Sequence, residues 1–125
     1  MIDFNSMTPE EVEIELQKME IDEGIVKGSE SVVVNYSVDL SLLDGNFIIK
    51  GESSQPATYD WVGLYKNSSV SDEDYIGDCW FWVVNQSSYK TSTKANYGYQ
   101  ARYLIYDYKL KKYRSVARSK PYGEK

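Results

Sequence analysis

The residues able to do chemistry in this chain are few, and their types narrow the chemistry quickly. Among 125 residues there is no histidine and one cysteine, Cys79. Without imidazole, Ser-His-Asp and Cys-His arrangements and the commonest general base are excluded. One thiolate cannot build a zinc site. Cys79 lies between Asp78 and Trp80; neither neighbour would lower its pKa, so it reads as a buried structural cysteine rather than a nucleophile. No glycine-rich phosphate loop occurs. Asp72, Glu73 and Asp74, with Asp78 nearby, put hard oxygen ligands on one loop and make calcium an alternative. The spacing, however, lacks the glycine and bidentate glutamate of a calcium loop. No cofactor and no catalytic residue are expected, and the chain reads as non-enzymatic.

What remains is binding. The chain has 12 tyrosines and three tryptophans, and such residues serve either a core or an interface. Trp61 and at least one of Trp80 and Trp82 read as core. Neighbours on a strand point to opposite faces, so Phe81 faces away from Trp80 and Trp82. If the sheet is covered on one side only, one of these sets is exposed, and an exposed aromatic patch marks a binding site for carbohydrate or peptide. A second candidate surface is the run Tyr106, Tyr108, Lys109, Lys111, Lys112, Tyr113 and Arg114. Basic residues interleaved with tyrosine suit anionic lipid headgroups or nucleic acid. A net charge of −5 argues against a dedicated nucleic-acid binder. Lysines at a hairpin tip also keep edge strands from pairing with other chains, so the run has both a functional and a structural reading. The candidate partner-binding residues are therefore Trp80, Trp82, Tyr106, Tyr108, Lys109, Lys111, Lys112 and Arg114.

The charge is unevenly placed. Residues 1–30 hold nine acids against two bases, and residues 100–125 hold eight bases against two acids. Either the two ends lie side by side and neutralise each other, or the basic end forms a face for an anionic ligand.

These residues need strands to position them. Residues 1–9 read as a flexible tail and 10–125 as a single domain, in keeping with the length. Thr8-Pro9-Glu10-Glu11 carries a capping-box signal for a helix through Met19. Val12, Ile14 and Leu16 alternate with acids and carry a strand signal. The strand is the preferred reading. A turn follows at Lys27–Glu30, then a strand from Val32 to Val38. Asp44-Gly45 favours a tight hairpin turn. Phe47–Lys50, Tyr59–Lys66 (with Gly63 a candidate bulge), Tyr75–Asn85, Tyr97–Tyr108 and Tyr113–Ala117 complete the strands. Residues 51–58, 67–74 and 86–96 read as polar loops. On the Tyr97–Tyr108 strand, Tyr99, Ala101, Tyr103 and Ile105 share one face; Gln100, Arg102, Leu104 and Tyr106 share the other. Seven to eight short strands with turns about every ten residues indicate an all-β, immunoglobulin-like antiparallel sandwich. No apolar run approaches a membrane span. A lone cysteine and no basic-then-apolar leader point to a reducing, cytoplasmic setting.

Several segments in order carry a family resemblance: Val26–Ser37, Asp60-Trp61-Val62-Gly63-Leu64-Tyr65-Lys66, Asp74-Tyr75, Tyr99-Gln100-Ala101-Arg102-Tyr103-Leu104 and Arg118–Tyr122. Over roughly residues 24–122 the chain resembles SKICH domains, the immunoglobulin-like sandwiches of certain inositol polyphosphate 5-phosphatases and of calcium-binding-and-coiled-coil adaptors. The resemblance implies a non-catalytic module for protein binding or membrane-proximal placement, with no catalytic residue to carry over. The expected function is thus an adaptor recognising a protein partner, at a membrane surface in one version. The alternative is a lectin-like or anionic-lipid-binding module.

Overall fold

The computed structural model describes residues 3–19 and 34–123. The turn expected at Lys27–Glu30 and the start of the strand from Val32 lie outside these residues.

The first element corrects the sequence expectation. Pro9–Lys18 is a helix, α1, not a strand. Thr8 Oγ1 accepts the Glu11 N–H at 3.3 Å, and Glu11 Oε1 accepts the Thr8 N–H at 2.8 Å. This capping box, with Pro9 pre-set at the first helical position, fixes the N-terminus. Val12 and Leu16 are buried, and their spacing satisfies both one helical turn and two strand repeats. Ile14 separates the two readings: a strand would bury it with its neighbours, and it is 51% exposed. The segment read as a tail is, from Asp3 onward, laid against the sheet. It forms a 3₁₀ turn at Phe4–Ser6, and the Phe4 ring meets Tyr59 and Trp82 edge-on, with centroids at 5.8 and 5.4 Å.

Seven strands follow: β1 Tyr36–Leu43, β2 Asn46–Ser53, β3 Trp61–Tyr65, β4 Tyr75–Trp82, β5 Ser88–Lys94, β6 Gln100–Asp107 and β7 Lys112–Arg118. They form two antiparallel sheets, one in the order β1-β2-β5 and the other in the order β4-β3-β6-β7. The chain is an all-β sandwich, with one α-helix among the described residues lying on its outside. Asp44 and Gly45 both have positive φ, 55° and 81°, as the two-residue β1–β2 turn requires. Gly63 lies where the β3–β4 register shifts, as its expected bulge role suggested. Within the described part of the strand expected from Val32 to Val38, pairing begins at Tyr36 and runs on to Leu43, and β2 extends through Ser53 into the expected loop. β5 is a strand where a polar loop was expected. Its inward residues are Tyr89 and two threonines: Thr91 is buried and donates to the Phe47 carbonyl at 2.9 Å, and Thr93 meets Cys79 Sγ at 3.1 Å. β-Branched threonine suits a strand without leaving a hydrophobic period to read.

Two apolar layers result. Between the sheets lie Phe47, Ile49, Val62, Leu64, Cys79, Phe81, Ala101 and Tyr103. On the outer side of the four-stranded sheet lie Trp61, Tyr65, Trp82, Leu104, Tyr106 and Tyr113, covered by Val12 and Leu16 of α1. The two faces expected for β6 are thereby observed. Every residue of β3 is buried because both of its faces are covered. The acidic start and basic end of the chain do lie side by side, but through backbone contacts. Glu13 Oε2 accepts the Tyr113 N–H at 2.7 Å, and Gln17 Nε2 donates to the Lys111 carbonyl at 2.6 Å.

Candidate functional site

The β6–β7 hairpin is organised by Asp107. Its Oδ1 accepts the N–H groups of Lys109 and Leu110 at 2.9 and 3.0 Å, and its carbonyl accepts the Lys111 N–H at 2.7 Å. Its Oδ2 accepts Arg114 Nε at 2.8 Å. Burial alone would raise the carboxyl pKa. The two backbone donors and the Arg114 guanidinium outweigh it, and the group is held below its ordinary value. The tip that results presents Lys109, Lys111 and Lys112 to solvent, with Tyr108 and a 56% exposed Leu110 among them. Among the described residues none of these lysines has a carboxylate within ion-pair distance. Lys111 sits at φ 57°, a region that favours glycine or asparagine.

The eight candidate residues do not form one surface. Tyr108, Lys109, Lys111 and Lys112 meet at the tip, with Arg114 exposed beside them but paired to Asp107. Tyr106 and Trp82 are buried, contrary to a binding role, because α1 and Phe4 cover the sheet face that the exposed-patch reading left open. Trp80 is half-buried, edge-on to Trp61 and Trp82 at 6.4 and 5.1 Å. β4 and β7 are opposite edges of the sheet, so the tryptophans stand at least two strand spacings, about 10 Å, from the β6–β7 hairpin.

Two of the acids of the calcium alternative have hydrogen-bond partners of their own. Asp72 Oδ1 accepts Arg102 Nη1 at 2.9 Å, with Arg118 Nη2 at 3.7 Å. Asp72 Oδ2 accepts the Ser115 N–H and hydroxyl at 3.0 and 3.2 Å. Asp74 accepts from Ser71 Oγ at 3.2 Å. Among the described residues no group of three or more Cys, Asp or Glu side chains is arranged to hold a metal ion.

Arg102 is the residue that sequence reasoning missed. It is fully buried. Beyond Asp72, it donates to Gln100 Oε1 at 3.0 Å and to the carbonyls of Asn67 and Ser68, both at 3.3 Å. Its guanidinium carbon lies 4.1 Å from the Tyr65 ring centroid. One buried cation thus pins the β3–β4 loop over the sheet, which is a structural role. Asp60 is its acidic counterpart in burial. Its Oδ2 accepts the Ala57 N–H at 2.9 Å and the Tyr103 hydroxyl at 2.8 Å. Burial pushes its pKa up to about 6 against those two bonds. Burial likewise raises the Cys79 thiol, the opposite of an activated nucleophile. A cleft between the start of α1 and the sheet, lined by Glu10, Glu13, Glu73, Trp61, Tyr75 and Tyr113 among others, has room for little more than a water molecule. No helix among the described residues is long and apolar enough to cross a membrane.

Comparison with family models, with curated proteins and with solved structures returns no match. The class that stands is a seven-stranded all-β sandwich carrying a basic hairpin tip and an N-terminal covering helix.

Proposed function

We propose that this chain is a non-catalytic binding module of immunoglobulin-like type that recognises a protein partner through the tip Tyr108–Lys112. The observation that carries this reading is the tip itself. Asp107 fixes a loop that exposes three lysines, none with a carboxylate in ion-pair distance among the described residues, beside an exposed leucine. A tip that served only as an edge guard would need the charges but not the exposed Leu110. The lack of histidine and the raised Cys79 pKa support a module without catalysis. The strand order supports the immunoglobulin-like assignment: β4-β3-β6-β7 follows C′-C-F-G, and β1-β2-β5 follows A-B-E. The SKICH-like segments Asp60–Lys66 and Tyr99–Leu104 carry the neighbouring strands β3 and β6, in keeping with that resemblance. A buried lone cysteine suits a reducing, cytoplasmic setting.

A second reading, an anionic lipid surface, is favoured by Leu110 standing among lysines and Tyr108, the pattern of a tip that sits at a membrane interface. A lectin-like role is left without the exposed tryptophans it required.

The test is Lys111→Glu/Lys112→Glu in the full chain. The expected outcome is unchanged far-UV circular dichroism and thermal midpoint, with about tenfold or greater loss of the partner recovered by affinity capture. Unchanged recovery removes the tip as the site. The same pair of proteins on phosphatidylserine and phosphatidylcholine vesicles separates the two readings. Salt-sensitive binding to the anionic vesicles alone, lost in the variant, assigns the tip to lipid instead.

A further inference from the structure

The outer face of the four-stranded sheet would be solvated in a plain sandwich. Here it is strongly aromatic, with Trp61, Trp82, Tyr106 and Tyr113 buried and Tyr75 and Trp80 at its margin. What covers it states what it accepts. α1 contributes two aliphatic side chains one turn apart, Val12 and Leu16. It contributes two carboxylates one turn apart: Glu10 accepts the Tyr75 hydroxyl, and Glu13 accepts the Tyr113 N–H. Its last turn, through Gln17, ends beside Lys111, so the negative end of the helix dipole meets the lysine tip.

The cover is incomplete in one respect. In the layer covered by α1 and Phe4, Trp61 Nε1, Trp82 Nε1 and the Tyr106 hydroxyl lie buried without a hydrogen-bond partner among the described residues. Between the sheets the polar side chains are paired: Tyr103 donates to Asp60, and Thr91 donates to Phe47. α1 therefore meets the apolar demand of the outer face and leaves its hydrogen-bonding demand open. Buried donors without acceptors are rare and destabilise the arrangement that leaves them so. Residues 19–35 join α1 to β1. α1 belongs to neither sheet, so its release breaks no strand pairing.

We propose that this face is a docking groove for an acidic amphipathic helix of a partner protein, closed in the free chain by its own α1. The partner helix carries aliphatic residues at i and i+4, as α1 does at Val12 and Leu16. It also carries acceptor side chains, such as Asn or Gln, over the donors that α1 leaves unpaired. This is recognition of a helix in a groove, with the resident helix as competitor. It does not depend on the role of the hairpin tip.

Two measurements test it. In the full-length protein labelled with ¹⁵N, the indole N–H groups of Trp61 and Trp82 should exchange with solvent about tenfold or more faster than the amides of Val62 and Leu64, because α1 opens locally. Exchange of all four at one common rate, set by global unfolding, overturns the proposal. The second measurement uses a fluorescein-labelled peptide of residues 7–19 as the probe. Val12→Asp/Leu16→Asp in the full chain releases α1 and should tighten peptide binding by about tenfold or more over wild type. A control peptide with the same two substitutions should bind neither. If the variant does not fold, millimolar peptide on the wild-type protein should shift the Trp61 and Trp82 indole signals. Unshifted signals overturn the proposal. So does a wild-type chain that only exchanges α1 between its own copies and captures no peptide.

Discussion

The layer between the sheets and the layer beneath α1 are built from the same residue types yet are not equivalent. The inner layer joins strands from the whole length of the chain, and it is tight. At Gly51 a Cβ would lie 2.3 Å from Val62 Cγ2, so only glycine lets the sheets approach there. The outer layer is closed by one local segment, through two aliphatic side chains, a few aromatic edges and hydrogen bonds at the sheet margin. Three donors in this layer lack partners among the described residues. The inner layer is closed by two sheets, the outer layer by one helix and Phe4.

The largest effect should come from emptying each layer in turn. Phe47→Ala, at the centre of the inner layer, should cost about 3–5 kcal/mol in urea unfolding. Leu16→Ala should cost about 2 kcal/mol or less, because undocking α1 relieves the cavity without unfolding the sheets. Equal losses in both variants would make the two layers one cooperative unit.

Asp60 supplies the next effect, and it belongs to the inner layer through Tyr103. Its pKa rises from 3.8 to about 6 on folding. Between those values the folded chain holds a proton that the unfolded chain has released, so stability falls as pH rises through this window. Above about pH 6 the full cost, on the order of 2–3 kcal/mol, is present. Asp60→Asn should flatten the slope of stability between pH 4 and 6, measured by denaturant titration. An unchanged slope would show that Asp60 is ionised at no cost.

The smallest effect concerns only the cover. Thr8→Ala removes the capping box and should weaken α1 by about 1 kcal/mol. The expected signature is faster amide exchange in Val12–Lys18 with an unchanged global midpoint. A lowered midpoint would mean that α1 is part of the folding unit.

The same contrast explains what the sequence disclosed. The inner layer was legible because alternation on β6 and the Asp44-Gly45 turn are local signals with one structural solution. β5 was not, since two of its three inward positions are threonines and only Tyr89 is aromatic. α1 was ambiguous because Val12 and Leu16 fit both periods, and the capping box, a hydrogen-bond signal, decided against the hydrophobic alternation. That single misreading exposed the wrong face. With no helix to cover them, Trp82 and Tyr106 looked available; with α1 in place they are core. The tip was legible from its lysines. Arg102 was not, since a basic residue alternating on a strand reads as outward unless the loop that surrounds it is known.

The margin of β7 has a bearing on how copies of the chain behave toward one another. β7 is an edge strand, and two of its backbone donors, at Tyr113 and Ser115, are taken by the carboxylates of Glu13 and Asp72. An uncapped row of such donors is a template for strand addition and fibre growth. Glu13 and Asp72 therefore guard the solubility of crowded copies, and Glu13 does so from the helix that covers the neighbouring face.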